Sequence, residues 1–331
     1  MLNPKLKLNT KMFDLDVEQV PIRKGFGQGL LAAGEIDKSV FGLCADLTES
    51  TQMHFFKEKF PERFIQVGVA EQNLVTVASG MAAMGKIPFC SSYAMFSPGR
   101  NWEQIRTTIA YNDRPVVIVG SHAGISVGPD GGTHQALEDI ALMRVMPNMD
   151  VISPCDAIEA KKATLSLAKN PRPAYLRLAR EKTPIITTEE TPYERGKAYV
   201  YWMPDEGLAE VGIIATGALL YKAILVAKEL EMEGIKTKVL NLPGIKPIDV
   251  GAILSLAKET KAIVTVEEHQ IAGGMGSAVL EVLGQNYSVP IEFVGVRDLF
   301  GQSGKAEELI EYYGMGKDSI KNAVKKVLTR K

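Results

Sequence analysis

The chain alternates short β-branched runs with longer helical patterns, and this alternation restricts its fold more than any other feature. Strands that alternate with helices form parallel sheets covered by helices, because each crossover returns the chain to the same end of the sheet. Six strands are predicted in the first half, over residues 40–43, 64–67, 87–91, 115–119, 149–152 and 174–178. Helices predicted between them include residues 71–84, 102–110 and 157–168.

A second series of the same kind follows. It predicts strands over residues 211–215, 237–242, 262–267 and 291–294, with helices over 218–233, 249–259 and 275–283. The segment between the two series is rich in Thr, Pro and charged residues, as is typical of a linker. The sequence therefore predicts an α/β fold of two consecutive doubly wound domains with mainly parallel sheets. We expect the first domain over residues 1–182, the linker over 183–205 and the second domain over 206–331.

Length and composition are those of an ordinary globular protein. The 331 residues suffice for two domains, each with its own core. The net charge of −1 gives no general attraction to nucleic acid or anionic lipid. No apolar run approaches the roughly 20 residues that span a bilayer. We therefore expect neither nucleic-acid nor membrane binding.

The cysteines and the first residues bear on the cellular compartment. Cys44, Cys90 and Cys155 are far apart, and none belongs to a C-x-x-C pair. Residues 1–13 lack the apolar segment of a signal peptide. Three reduced, buried or partly buried thiols in a cytoplasmic protein are the simplest interpretation.

One carboxylate, Glu71, follows an apolar run and begins a predicted helix. Free N–H groups and the helix dipole stabilise a carboxylate there by about 0.3–1 kcal/mol. First-turn acids are common, so capping alone would explain this position. The apolar neighbours Val67, Val69 and Leu74 would also suit a dry site in which a carboxylate exchanges a proton. From these residues alone, both interpretations stay open.

Two of the four histidines, His122 and His134, lie in a glycine-rich loop after the strand predicted at 115–119. Open α/β sheets bind ligands beyond the carboxyl ends of their strands, so this loop is an expected ligand site. Asp130 belongs to the same loop, in the segment Gly-Pro-Asp-Gly-Gly-Thr-His. The two histidines lack the i, i+4 spacing of a helical metal site, and no cysteine or further histidine accompanies them. We expect no metal site within this chain.

Several short motifs resemble, in order and spacing, the C-terminal part of transketolases. They are Cys-Ala-Asp-Leu-Thr at 44–48, Gly-Val-Ala-Glu at 68–71, and the loop segment ending at His134. The resemblance runs from about residue 23 to the end of the chain. Each motif alone is a weak signal, but their common order and spacing identify the family.

The resemblance implies thiamine diphosphate as coenzyme. Glu71 would be the catalytic carboxylate that bonds N1′ of the aminopyrimidine and so promotes proton loss from C2. Tyr93 and Phe96 would flank the aminopyrimidine, and Asp46 would line the coenzyme pocket. Gly99 stands where many transketolases have a further tyrosine. The pocket is therefore either wider here or closed by another residue.

The resemblance also implies sugar phosphate substrates. His134 would contact the sugar carbonyl and hydroxyl and stabilise the developing alkoxide, so it joins Glu71 as a catalytic residue. Asp130 would contact the hydroxyl at the next carbon, and His122 would lie nearer the phosphate. Arginine suits phosphate because its planar group binds two oxygens at once. The residues that match the family's phosphate contacts are Arg23, Ser50 and Arg180.

Part of a complete site is missing from the sequence. Transketolases anchor the diphosphate and Mg²⁺ with a Gly-Asp-Gly motif, which occurs nowhere in this chain. The resemblance therefore implies an N-terminal transketolase subunit that carries Gly-Asp-Gly and holds Mg²⁺. Since the pocket in this family forms between polypeptides, we expect a homodimer of this chain within an α₂β₂ heterotetramer.

The leading interpretation is the C-terminal subunit of a split transketolase, active only with its partner. It would move a two-carbon ketol unit from a ketose phosphate to an aldose phosphate, in pentose phosphate metabolism. A split deoxyxylulose-phosphate synthase and the β component of a 2-oxo acid dehydrogenase are alternatives, which His122 disfavours. A non-catalytic scaffold subunit is an alternative of another class. The sequence does not identify the two sugars.

Overall fold

The computed structural model describes all 331 residues and contains fourteen strands. The strands are β1 (Gln19–Pro21), β2 (Val40–Cys44), β3 (Phe64–Gln66), β4 (Ile87–Tyr93), β5 (Val117–Ser121), β6 (Asp150–Ile152), β7 (Ala174–Arg177), β8 (Lys182–Pro184), β9 (Tyr199–Trp202), β10 (Val211–Ala215), β11 (Thr237–Asn241), β12 (Gly244–Lys246), β13 (Ile263–Gln270) and β14 (Ile291–Val296).

Eleven α-helical segments connect and cover the strands. They are α1 (Ile22–Ile36), α2 (His54–Lys59), α3 (Glu71–Ala83), α4 (Trp102–Gln104), α5 (Asp139–Arg144), α6 (Ala157–Lys169), α7 (Leu220–Met232), α8 (Val250–Thr260), α9 (Met275–Asn286), α10 (Ala306–Tyr312) and α11 (Lys317–Leu328). None of them combines the length and apolar character that a bilayer span requires.

The first sheet has seven strands in the order β12-β6-β7-β5-β4-β2-β3, and only β12 runs antiparallel to its neighbour. Its central strand β5 is buried along its whole length, as expected for a parallel strand covered on both faces. The second sheet has the order β14-β13-β10-β11-β9, with β9 antiparallel at the edge. The predicted α/β fold with mainly parallel sheets is confirmed.

The two halves of the chain exchange short segments. Strand β12 follows the second sheet's β11 in sequence but pairs with β6 of the first sheet. Conversely, Leu6, Leu8 and Met12 pack into the core of the second half. The segment predicted as a linker, 183–205, contains β9, which pairs with β11. The predicted domain boundaries themselves stay predictions.

Smaller differences concern irregular elements. The helix predicted at 102–110 is an α-helix only over Trp102–Gln104, and it continues as a π-helix over Ile105–Ala110. The glycine-rich loop contains a 3₁₀ segment, Ile125–Asp130. All three cysteines are buried and form no disulfide, which agrees with the prediction of buried or partly buried free thiols.

Candidate active site

The predicted site residues gather at one edge of the first sheet. Asp46 and Ser50 follow β2, Glu71 follows β3, and His122 directly follows β5. Because β2, β3, β4, β5 and β7 are mutually parallel, their carboxyl ends lie at the same edge. Tyr93 ends β4, and Arg180 lies three residues beyond β7.

Glu71 is the first residue of α3, and its carboxylate is buried, with 2% of the side chain exposed. Arg100 Nη1 donates a hydrogen bond to Glu71 Oε2 at 2.9 Å. Asn101 Nδ2 donates to the Glu71 main-chain oxygen at 2.8 Å, which fixes the start of the helix. The site therefore presents a carboxylate shielded from bulk water, with one oxygen held by a guanidinium.

Gly99 has no room for the tyrosine found in many transketolases. A Cβ at this position would lie 2.0 Å from the Met95 carbonyl oxygen. Instead, the guanidinium of Arg100 lies 5.1 Å from the centroid of the Phe96 ring. The next residue, Arg100, is thus the one whose side chain lies beside Phe96.

Tyr93 is the centre of a group of four rings. Its ring lies 6.2 Å from that of Phe96, with an angle of 17° between the planes. The imidazole of His122 stacks on the Tyr93 ring, with the centroids 3.9 Å apart. His134 meets Phe96 edge to face at 5.3 Å. The pairing of Tyr93 with Ser121 across β4 and β5 explains why the next residue, His122, reaches this ring.

His122 is buried, and its backbone is left-handed, with φ at 56°. Burial and the nearby charges of Arg23, Arg180 and His134 lower its pKa to about 3. The imidazole is therefore neutral near pH 7. Ser121 Oγ lies 2.8 Å from its Nδ1 and is the bonding partner that orients the ring. A left-handed non-glycine residue in a ligand loop is the kind of local strain that clusters at functional sites.

Two arginines lie beside the rings. Arg23, near the start of α1, donates to the main-chain oxygen of Arg180, and Arg180 Nη1 donates to Val127 O at 2.8 Å. Arg23 Nε is buried without a hydrogen-bond partner. Burial and the charge of Arg180 lower the pKa of Arg23. An anionic group would satisfy the free N–H and offset the repulsion between these two cations.

Asp46 lies in the turn after β2 and is also left-handed, with φ at 58°. Gln66 Oε1 accepts from the Asp46 N–H at 2.7 Å and from the Gly68 N–H at 3.2 Å. One side chain thus joins the Asp46 turn to the segment that leads to Glu71. Ser50 is half-buried in the same turn region and makes no hydrogen bond to either Arg23 or Arg180.

The loop residues differ in exposure. Asp130 is exposed at the end of the 3₁₀ segment, and His134 is half-buried, with Nδ1 3.0 Å from Thr133 Oγ1. Arg177 at the end of β7 is buried behind the loop, where its Nε donates to Asp139 Oδ2 at 2.8 Å. No group of three or more His, Cys, Asp or Glu side chains forms a metal-binding cluster.

Sequence reasoning missed Arg100, Gln66 and Arg177. The contacts of these side chains with Glu71, Asp46 and Asp139 join residues 20 to 38 positions apart, and the type of a single residue does not reveal such a contact. For Arg100 one signal exists, because it is the first bulky residue after the glycine that replaces an expected aromatic ring.

Comparison with known families assigns both halves. Residues 18–185 match the family described as transketolase, pyrimidine binding domain, and residues 201–320 match transketolase, C-terminal domain.

Similar proteins of known sequence extend over nearly the whole chain. A putative transketolase C-terminal section of Methanocaldococcus jannaschii is 43% identical and covers 90% of this chain and 93% of its own length. A 6-deoxy-6-sulfo-D-fructose transketolase subunit of Clostridium sp. strain MSTE9 is 38% identical, covering 96% and 98%.

A solved structure described as a split gene transketolase, inactive beta4 tetramer, superimposes with a TM-score of 0.87. It is 41% identical, and the match covers 94% of this chain and 99% of that chain. The similarity therefore holds in three dimensions and includes the sheet edge where the candidate residues lie.

Proposed function

Because the chain belongs to the transketolase family, we propose that it is the C-terminal subunit of a split transketolase. It would transfer a two-carbon ketol unit from a ketose phosphate to an aldose phosphate in the cytoplasm. One observation carries this proposal above the others: the buried Glu71 carboxylate, the Tyr93 and Phe96 rings, and His134 meet at one sheet edge.

These side chains fit the aminopyrimidine half of thiamine diphosphate. Glu71 offers a shielded carboxylate to a ring nitrogen, and the nearly parallel rings of Tyr93 and Phe96 offer stacking surfaces. When bound, the coenzyme supplies the carbanion chemistry of ketol transfer. Glu71 would hold a proton between its carboxylate oxygen and N1′, and the enclosed pocket would keep water from that proton.

The histidine loop, residues 122–134, would bind the sugar. His134 would donate a proton to the carbonyl oxygen as negative charge develops there, and Asp130 would accept a hydrogen bond from the next hydroxyl. His122 is neutral near pH 7, so it would orient substrate by hydrogen bonding rather than by charge.

The anionic end of the substrate would lie between Arg23 and Arg180. The unpartnered Arg23 Nε supports this placement, because a buried donor without an acceptor is destabilising in the absence of a ligand. Ser50 would be a further contact of the phosphate. The Clostridium relative is named for a sulfonated sugar, and a sulfonate would suit the same two guanidinium groups.

A partner subunit would complete the site. The chain has neither Gly-Asp-Gly nor a cluster of metal ligands, so an N-terminal transketolase subunit would hold Mg²⁺ and the diphosphate. The solved relative described as an inactive beta4 tetramer supports inactivity without such a partner. We propose a homodimer of this chain within an α₂β₂ assembly.

The test is reconstitution. The chain, a partner carrying Gly-Asp-Gly, thiamine diphosphate and Mg²⁺ are mixed, and transfer from a panel of ketose phosphates is followed by mass spectrometry. With an aldose phosphate present as acceptor, the wild-type mixture should form a ketose two carbons longer than the acceptor and an aldose two carbons shorter than the donor. Glu71→Gln should lower the rate by about 10²–10⁴. The control Glu103→Gln changes an exposed first-turn glutamate of α4 and should keep the wild-type rate. Equal rates for Glu71→Gln and wild type would contradict the assignment.

A further inference from the structure

The second half of the chain contacts the back of the histidine loop. Glu268 near the end of β13 is buried, and its Oε1 accepts a hydrogen bond from the Ser126 main-chain N–H at 2.5 Å. The two residues are 142 positions apart in sequence. Burial raises the pKa of the Glu268 carboxyl, and the nearby Arg177 and the Ser126 N–H oppose this shift. A carboxylate from the second half is thus inserted beneath the 3₁₀ segment of the loop.

The loop sequence leaves space for this carboxylate at Gly124. A Cβ there would lie 2.4 Å from Glu268 Oε1, and the glycine has a φ of 89°, which side chains rarely adopt. Any other residue at this position would move the carboxylate away from Ser126. The carboxylate of Glu268 therefore reaches Ser126 only because residue 124 is a glycine.

A buried ion pair fixes the strand that carries Glu268. Arg177 Nη2 donates to the main-chain oxygen of Glu268 at 2.8 Å, while its Nε donates to Asp139 Oδ2 at 2.8 Å. Tyr175 Oη donates to the same Asp139 oxygen at 2.7 Å. The end of β13 is therefore joined to β7 of the first sheet through a network of buried hydrogen bonds, which limits relative movement.

Gln135 makes a second connection between the loop and the second half. Its Nε2 donates to Ile125 O at 3.1 Å and to Gln302 O at 3.0 Å. Helix α10 also packs against the 3₁₀ segment of the loop. The loop is consequently held from behind at several points, while Asp130 and His134 remain accessible in front.

We propose that Glu268 is a positioning residue for the substrate site, and that the second half of the chain serves to orient the histidine loop. This inference rests on the proposed function for its kinetic consequence, since His134 and Asp130 must meet a sugar at defined positions. A misplacement of about 1 Å can lower a rate about 100-fold. A merely structural Glu268 would lower overall stability without selectively loosening the loop.

The adjacent Glu267 provides a matched control. It lies on the same strand and is equally buried, but its carboxylate accepts the N–H groups of Met275 and Gly276 at 2.6 and 2.8 Å. It therefore fixes the start of α9 rather than the histidine loop. Replacing either glutamate removes a buried carboxylate, and only the Glu268 change removes a loop contact.

The first measurement is amide hydrogen exchange in the full chain. Glu268→Ala should increase exchange over residues 124–132 by about ten- to a hundredfold, as expected when a charge-assisted hydrogen bond is lost. Glu268→Gln retains an acceptor and should restore most of the protection. If the alanine variant does not fold, Glu268→Asp replaces it, because the shorter side chain withdraws the carboxylate from the Ser126 N–H. Glu267→Gln should leave exchange in this segment unchanged. Wild-type exchange in the variant that lacks the contact, Glu268→Ala or Glu268→Asp, would overturn the proposal.

The second measurement is steady-state kinetics of the assembled enzyme. Glu268→Ala should raise KM for the sugar phosphate and lower kcat/KM by about tenfold, while thiamine diphosphate affinity stays within about twofold of wild type. Glu268→Gln should recover most of this loss. A loss that falls on coenzyme affinity instead would contradict a role in the substrate loop. If the wild-type assembly transfers no ketol unit, the proposed function fails, and the exchange measurement still decides whether Glu268 positions the loop.

Discussion

The guanidinium of Arg100 bonds the carboxylate of Glu71 at 2.9 Å, but the two side chains differ greatly in burial. Glu71 is 2% exposed and Arg100 is 52% exposed. Arg100 also lies over the ring of Phe96, where an aminopyrimidine would stack in the proposed site. A buried carboxylate is thus paired with a half-exposed cation. In the proposed site, a ring nitrogen would replace that cation as the partner of Glu71.

The first prediction concerns this pair in the isolated chain. Arg100→Met should lower the free energy of unfolding by about 1 kcal/mol, because it leaves a buried carboxylate without its charged partner. The loss is this small because solvent screens the charge of the half-exposed arginine in the wild type. In a Glu71→Gln background the same change should have almost no effect. Urea unfolding of the four proteins measures this coupling, and fully additive changes would show that the two side chains do not stabilise each other.

The second prediction is a pH dependence that arises from His122. Its pKa is about 3 in the folded protein and about 6.5 in an unfolded chain. The unfolded state therefore binds more protons below pH 6.5, so the contribution of neutral His122 to stability is complete above that pH and is lost as pH falls toward 3. Between pH 7 and pH 5 the loss should be about 1–2 kcal/mol.

The variant His122→Asn isolates this effect, because asparagine tolerates the left-handed backbone and does not titrate. Comparing wild type with variant removes contributions from other groups, such as Glu159 and Glu267, whose carboxyl pKa values burial raises to about 7. Parallel stability curves for the two proteins from pH 7 to pH 5 would be inconsistent with a buried, neutral His122.

The third prediction separates chemistry from recognition in the assembled enzyme. His134→Ala should lower kcat by about 10²–10⁴ with unchanged coenzyme affinity, because it removes a proton donor at the sugar carbonyl. Asp130→Ala should instead raise KM and reduce the preference between ketose donors that differ in hydroxyl configuration. Steady-state kinetics with epimeric donors distinguishes the two roles. If both variants bound the coenzyme more weakly and kept the wild-type donor preference, the roles assigned to His134 and Asp130 would be wrong.

The fourth prediction concerns the anionic end of the substrate. Arg180→Ala should lower kcat/KM by about 10–100-fold more for a phosphorylated sugar than for its unphosphorylated analogue, because a charge-assisted contact is lost. Arg180→Ala also removes the hydrogen bond to Val127 O. Any resulting loosening of the loop should lower kcat/KM equally for both substrates, so it cancels in their ratio. Lys182→Ala is the control, since it removes a nearby exposed cation. Equal losses for both substrates would exclude Arg180 from the phosphate site.

Much of the fold was predictable because parallel strands are buried on both faces and leave continuous apolar runs. The strand predicted at 64–67 and the helix predicted from Glu71 agree with β3 and α3 within one residue. Strand β9 in the linker segment and strand β12 in the second half were harder to predict, because both are short and pair with distant parts of the chain. Local periodicity carries no information about such pairing.

For the candidate site residues that follow strands, the convergence at one sheet edge was predictable, since the carboxyl ends of parallel strands lie together. Their roles came from the family resemblance and stay predictions. The supporting contacts were not predictable. Arg100 and Glu71 are 29 positions apart in sequence, and their contact depends on three-dimensional packing. Likewise, Glu268 and Ser126 meet only after both halves have folded. Sequence reasoning therefore could not show which part of the chain contacts the histidine loop from behind.

In the proposed assembly, this chain supplies only half of the coenzyme site. It would offer a buried carboxylate and two rings to the aminopyrimidine, and it has no cluster of metal ligands for the diphosphate. Stacking and a few hydrogen bonds are too little to offset the free energy lost on association, so the isolated chain should bind thiamine diphosphate poorly.

Isothermal titration of thiamine diphosphate and Mg²⁺ tests this claim most directly. The titration is made into the chain alone, into the Gly-Asp-Gly partner alone and into their equimolar mixture. We expect saturable binding with one coenzyme per pair of chains in the mixture, and at least 100-fold weaker binding to either chain alone, equivalent to about 2.7 kcal/mol. Binding to the isolated chain as tight as that to the mixture would contradict the account.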